Sequence, residues 1–162
     1  MEFITGNYLD TLTMIDVDSG TLTLANIYNP DKTKQWVSSG YNNDLLTEIL
    51  TINFAQTTTI DRISLKEHNL KEFKIYANGD TASVLNLSSG DTTTLNYNAN
   101  SETSQYFNIT PIACTSLSLY MTKTQATNSE KAIGHLYLGE SLLSLPRIPS
   151  ANNYKITKQV VK

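Results

Sequence analysis

Residues 50–78 read LTINFAQTTTIDRISLKEHNLKEFKIYAN, and the spacing of apolar side chains along them decides the fold. Leu50, Ile52 and Phe54 fall at every second position; after Ile60, Ile63 and Leu65 do so again, and then Phe73 and Ile75. Successive side chains of an extended backbone point to opposite faces, so a period of two predicts strands buried on one side and wet on the other. The separators, residues 55–59 and then Glu67-His68-Asn69-Leu70, are short and polar. A parallel crossover needs about a dozen residues. The three segments are therefore expected to be antiparallel neighbours, a meander at the middle of an all-β domain.

Working outward toward the N-terminus, residues 12–17 read as a candidate first strand, closed by the turn Asp18-Ser19-Gly20. Asp16 and Asp18 beside Gly20 lack the further carboxylates and distal Glu of a calcium loop, so a plain turn is the better reading. Residues 21–27 fit either a strand or a helical turn. Asn29-Pro30 opens a polar loop to Gln35. Trp36 is either a core plug or a sugar-stacking platform; burial statistics favour the core. Residues 37–44 form a second loop.

Toward the C-terminus, Asn78-Gly79-Asp80 is a turn signal. Between residues 81 and 104 the pattern weakens, with Val84, Leu85 and Leu87 and then Thr92-Thr93-Thr94-Leu95, which predicts two short edge strands followed by a polar loop from 96 to 103. Residues 105–109 form a strand ended by Thr110-Pro111. Leu117, Leu119 and Met121 make the cleanest amphipathic strand, and residues 133–138 the last one. Beyond Gly139, Pro146 and Pro149 mark an extended tail. Short strands recurring with no confident helix predict a jelly-roll β-sandwich of two antiparallel sheets over residues 20–140. An N-terminal segment, 1–19, precedes it and a connector, 141–162, follows.

Composition narrows the function classes. The chain has 162 residues, a net charge of −3 and no basic stripe, which argues against a nucleic-acid surface. No apolar run approaches the roughly 20 residues of a membrane helix. The opening Met1-Glu2-Phe3-Ile4-Thr5-Gly6 lacks the basic and apolar regions of a signal peptide. Cys114 is the sole cysteine, so no intrachain disulfide forms, and its place in an apolar-alternating run predicts a buried structural thiol.

No glycine-rich phosphate loop, zinc-ligand spacing or nucleophile elbow occurs. Glu48, Asp61, Glu67 and Glu72 are the candidates for paired carboxylates, and on strands and turns they read better as solvated charges. His68-Asn69 has two readings. One is a recognition loop whose amide and imidazole bind hydroxyls; the other, favoured by so short a turn, has Asn69 left-handed and His68 bonding backbone. Tyr41, Asn42 and Asn43 are the other candidate ligand contacts. Asn86-Leu87-Ser88 and Asn108-Ile109-Thr110 match the glycosylation pattern, which matters only in a secreted chain.

The order of elements resembles the discoidin, or coagulation factor type C, domains. The likeness lies in Trp36-Val37-Ser38-Ser39, Ile52-Asn53-Phe54, Ile60-Asp61-Arg62-Ile63, Phe73-Lys74-Ile75-Tyr76-Ala77 and the closing Ala132-Ile133-Gly134-His135-Leu136-Tyr137-Leu138-Gly139. The resemblance implies a galactose-binding-like jelly roll whose end loops bind sugars, lipid head groups or proteins without catalysis. It also implies a calcium ion near an Asp-bearing loop, here Asn29-Pro30-Asp31. His135 stands where that family has an acidic ligand, and imidazole suits a hard cation poorly. His68-Asn69-Leu70, with Leu138-Gly139 and a Pro-containing tail, is similar to modules of tailed-phage structural proteins. The expectation is a non-catalytic module recognising glycans or surfaces within a larger structural or virion protein. The alternative is an adaptor that docks neighbouring subunits or copies of itself.

Overall fold

The computed structural model describes residues 2–4, 6–10, 13–29, 31, 33–78 and 96–144. Among the described residues ten strands follow in order: β1 (Glu2–Ile4), β2 (Thr13–Val17), β3 (Trp36–Val37), β4 (Glu48–Lys66), β5 (Leu70–Ala77), β6 (Asn96–Tyr97), β7 (Gln105–Thr124), β8 (Ala132–Ile133), β9 (His135–Gly139) and β10 (Ser141–Ser144). Short 3-10 helices occupy Tyr8–Asp10 and Thr21–Tyr28, so residues 21–27 take the helical alternative. The edge strands expected between residues 81 and 95 lie outside the described residues.

Two long strands build both layers. All of β2 pairs with the first part of β4, setting Ile15 beside Ile52, and Glu48 to Asn53 of β4 run against Met121 to Ser116 of β7. The other side of that part of β7 pairs with β5, which in turn pairs with β6. Past a corner, Arg62 to Leu65 of β4 run against Asn108 to Gln105 of β7 on one side and Gly139 to Leu136 of β9 on the other. Strands that bend from one sheet into another close the corners of such sandwiches. Facing side chains of the two layers, among them Leu50, Ile52, Phe73, Ile75, Leu117 and Leu119 from the first and Ile63, Leu65, Phe107, Ile109, Leu136 and Leu138 from the second, form one buried cluster.

The meander expectation is overturned. Residues 55–59 do not end a strand, because β4 runs unbroken through them. Its register against β7 slips between Asn53 and Thr58 and again between Ile60 and Arg62. Extra residues in a ladder bend the strand and raise its twist, and this turns the corner. The second slip sets two steps of β4 against four of β7, and across it Ile60 and Ile63 are both buried although three positions apart. It also accommodates Pro111, which lies inside β7 rather than after its end: at a bulge no ladder bond needs the missing N–H. Nor is β5 the neighbour of β4, since β7 lies between them. Residues 67–69 carry the chain from one sheet to the other, which is why so short a link forms no hairpin.

Three further differences concern the ends and loops. The last strand of the sequence reading is two, β8 and β9, hinged at Gly134. Beyond it, Ser141–Ser144 continues as β10, antiparallel to β1. Within residues 96–103, Asn100 is buried, and its amide donates to the carbonyls of Leu70 at 2.7 Å and Glu102 at 2.8 Å. Trp36 is fully buried and packs in the core. Cys114 is buried as well, and burial pushes its thiol up to about 11.

Candidate functional site

At the end of the first sheet where β4 and β5 begin and β7 finishes, residues 38–46 form an exposed loop laid against residues 124–131. Its shape is set by a buried cation. Lys131 is 0 % exposed, and its Nζ donates to the carbonyl oxygens of Tyr41 at 2.7 Å, Asn43 at 3.1 Å and Leu46 at 3.0 Å. Burial pulls the ammonium below the usual lysine range, and the nearby carboxylates of Asp44, Glu48 and Glu130 oppose that pull. An ammonium carries three donors and no acceptor, so three converging carbonyls satisfy it completely.

The same loop is tied at its other points. Glu130 accepts from Ser38 Oγ at 2.6 Å and from the Gly40 N–H at 3.1 Å. Asp44 accepts from the Thr124 N–H at 3.2 Å, while its own N–H donates to Asn128 Oδ1 at 3.2 Å. From below, buried Glu48 accepts from the Ser19 N–H and hydroxyl at 2.8 and 2.9 Å, and Ser19 Oγ accepts from the Ser39 N–H at 2.9 Å. Burial raises the Glu48 carboxyl above its usual range, with the Ser19 hydrogen bonds working against the rise.

The five candidate ligand contacts land unequally in this arrangement. Asn42 is exposed, and Tyr41 and Asn43 are half-buried on the loop surface. The Asn43 side-chain oxygen accepts from the Leu45 N–H at 2.8 Å, a local turn that leaves Leu45 87 % exposed beside it. His68 is 2 % exposed, beneath the surface, in edge contact with Phe73. Its Nδ1 accepts from the Leu70 N–H at 3.2 Å. His68 Nε2 and Gln105 Oε1 are both buried without a closed hydrogen bond, yet Gln105 is the polar group that bears on the imidazole proton. Asn69 donates through its amide to the Glu130 carbonyl at 2.7 Å and accepts from the Ala132 N–H at 2.9 Å. It thereby holds the strand that presents Lys131. The left-handed residue of this link is Glu67, with φ 52°, and not Asn69.

The candidate metal residues turn inward on their own loop. Asn29 Oδ1 accepts from the Asp31 N–H at 2.9 Å, and Asp31 Oδ1 accepts from the Thr33 hydroxyl at 2.7 Å. These Thr33 bonds hold the Asp31 carboxyl below its usual range. Among the described residues no group of three or more His, Cys, Asp or Glu is placed to hold a metal ion. The four candidate catalytic carboxylates are separately engaged. Glu48 bonds Ser19, Asp61 pairs with Arg62 at 3.2 Å, Glu72 pairs with Lys123 at 2.7 Å, and Glu67 lies against Gly134.

Lys131, Glu130 and Asp44 were not candidates from the sequence. Nothing in a polar run such as Asn128-Ser129-Glu130-Lys131 marks its lysine as buried. The one available signal is position, because Lys131 directly precedes the strand that pairs with Trp36.

No protein-family model matches the chain, and no curated protein matches it in sequence. Solved structures do share its fold. The family 32 carbohydrate-binding module of NanJ from C. perfringens, solved in complex with galactose, aligns with TM-score 0.62 at 12% identity over 85% of this chain and 100% of its own. Chitosan-binding module 1 of a chitosanase/glucanase from Paenibacillus sp. IK-5 aligns with TM-score 0.59 at 13% identity, covering 83% of this chain and 98% of its own. A Ruminococcus gnavus GH29 fucosidase in complex with fucose aligns with TM-score 0.61 at 14% identity over 83% of this chain, but over only 26% of its own. Likeness at such low identity is one of architecture, and it agrees with the strand order and corners described above: the chain has the galactose-binding-like, or discoidin, fold, a sandwich of two antiparallel sheets.

Proposed function

We propose that the chain is a non-catalytic glycan-binding module of a larger protein, and that Tyr41, Asn42 and Asn43 on the 38–46 loop contact the sugar. One observation carries this reading: a fully buried lysine directs all three of its hydrogen bonds to the carbonyls of one exposed loop. Burying an ammonium costs several kcal/mol even after relaxation, which is a large cost for shaping a surface loop. A loop fixed before the ligand arrives loses less conformational entropy on binding. His68 and Asn69 support that platform from beneath. The module-like neighbours, solved with sugars bound, support a carbohydrate ligand over other small molecules.

The test is a glycan array probed with the full chain, followed by titration of each hit against Tyr41→Ala and Asn42→Ala. Binding that falls about tenfold or more in both, the equivalent of ~1.4 kcal/mol, supports the reading. An array without hits, or hits indifferent to both substitutions, refutes it. The adaptor alternative draws on Leu22 and Leu45, which are 100% and 87% exposed. A concentration-dependent oligomer in light scattering, abolished by Leu45→Ser, would favour it instead.

A further inference from the structure

The outer face of the second sheet carries another arrangement, built from β7, β4 and β9. Ser64 of β4 has Tyr106 of β7 directly opposite on one side and Tyr137 of β9 directly opposite on the other. Two residues along, Lys66 of β4 lies opposite His135 of β9. By the period of two these side chains share one face, and with Ser104 they line an open groove of about 340 Å³. Ser64, 5 % exposed, is its floor, while Tyr106, 52 % exposed, stands above it.

We infer that this groove is a second carbohydrate site and that it takes a saccharide bearing a carboxylate. The tyrosines are rooted two strand separations apart, about 9.5 Å. A sugar ring lying over Ser64 therefore has an aromatic side chain rooted on either side of it. Sugar rings present apolar C–H faces to such walls and hydroxyls to the Ser64 and Ser104 side chains. The volume lies at the lower end of small-ligand sites, room for a mono- or disaccharide.

Charge selects the acidic sugar. The groove is lined by the Lys66 ammonium and the His135 imidazole, and no Asp or Glu is among its described lining residues. Of the nearest carboxylates in sequence, Asp61 pairs with Arg62, and Glu67 lies against Gly134 at the groove's end without being one of its lining residues. In a chain of net charge −3, a groove without a carboxylate but with a lysine is complementary to an anion, and an ammonium–carboxylate hydrogen bond is of the strong, charge-assisted kind. The inference is independent of the loop-end reading, because the two sites share no residue.

Calorimetric titration of the full chain with matched pairs tests it: cellobiouronic acid against cellobiose, and sialyllactose against lactose. At least one acidic member is expected to bind about tenfold or more tighter than its neutral partner. In Lys66→Met, whose site is exposed and whose fold is not at stake, that preference is expected to shrink to about threefold or less. Tyr106→Ala and Tyr137→Ala each weaken binding about tenfold, whereas Tyr106→Phe, which keeps the ring, stays within about threefold. Melting curves confirm that each variant is folded. Equal affinity within every pair, an acidic preference that survives Lys66→Met, or no binding by any of the four sugars overturns the inference. Loss of binding in Tyr41→Ala with the tyrosine variants of the groove unaffected would assign the sugar to the loop end and overturn it too.

Discussion

Replacing Lys131 with Met is the sharpest perturbation of the candidate site, because it retains most of the aliphatic stem and removes only the cation. Three hydrogen bonds of 2.7, 3.1 and 3.0 Å are lost. Hydrogen bonds to a charged group contribute roughly 1.5–3 kcal/mol each, so the gross loss is about 5–9 kcal/mol. Against this, methionine escapes the several kcal/mol that desolvating an ammonium costs. The orphaned carbonyls of Tyr41, Asn43 and Leu46 belong to an exposed loop and regain water when it opens, which limits the residual penalty. The net destabilisation expected is about 2–3 kcal/mol. At roughly 2–4 °C per kcal/mol for a chain of this size, the melting temperature should fall by ~5–10 °C. Urea denaturation measures the stability, and amide exchange at Leu45 and Leu46 measures the loop. The Leu46 N–H, bonded to the Asn43 carbonyl at 3.0 Å, should lose most of its protection while β4 and β7 keep theirs. A stability change below about 0.5 kcal/mol, together with unchanged exchange in the loop, would mean that the buried cation does not shape it.

Two other outcomes follow from the same geometry. Gly20 has φ +67°, and a Cβ there would lie 2.2 Å from the Val37 carbonyl oxygen and 3.0 Å from Trp36 Nε1. Gly20→Ala should therefore cost about 3 kcal/mol, from a left-handed alanine plus a backbone shift, visible as a lower urea midpoint; a cost under ~1 kcal/mol would contradict the packing at Trp36. Burial holds the His68 imidazole below its ordinary value, with Gln105 opposing. The unfolded state then binds its proton first as pH falls through ~6.5, so stability is fully present above that pH and declines below it. Wild-type protein should lose stability between about pH 7 and pH 5 more steeply than His68→Phe, and parallel pH profiles would show that His68 contributes nothing.

How far the sequence could be read depends on what each residue pattern encodes. The faces were legible: Leu50, Ile52, Ile63, Leu65, Phe73, Ile75, Leu117 and Leu119 are all buried, because alternation in an extended chain specifies a side without reference to any partner. Trp36 and Cys114 were legible for the same reason, large or soft apolar groups being cheapest inside. The short link at His68-Asn69 looked like a hairpin turn, since length alone does not distinguish a reversal within a sheet from a step between sheets.

Sequence by itself determined that this chain is a two-layered β-sandwich with one wet and one dry face to most strands. Only the tertiary structure decided that β4 and β7 belong to both layers, that β7 separates β4 from β5, and that Lys131 sits under the 38–46 loop. It also set Tyr106 and Tyr137 either side of Ser64. The physical reason is range. A period of two is a local consequence of backbone geometry, whereas strand neighbours, buried ions and cross-strand rows arise from contacts between residues tens of positions apart, which no local pattern records.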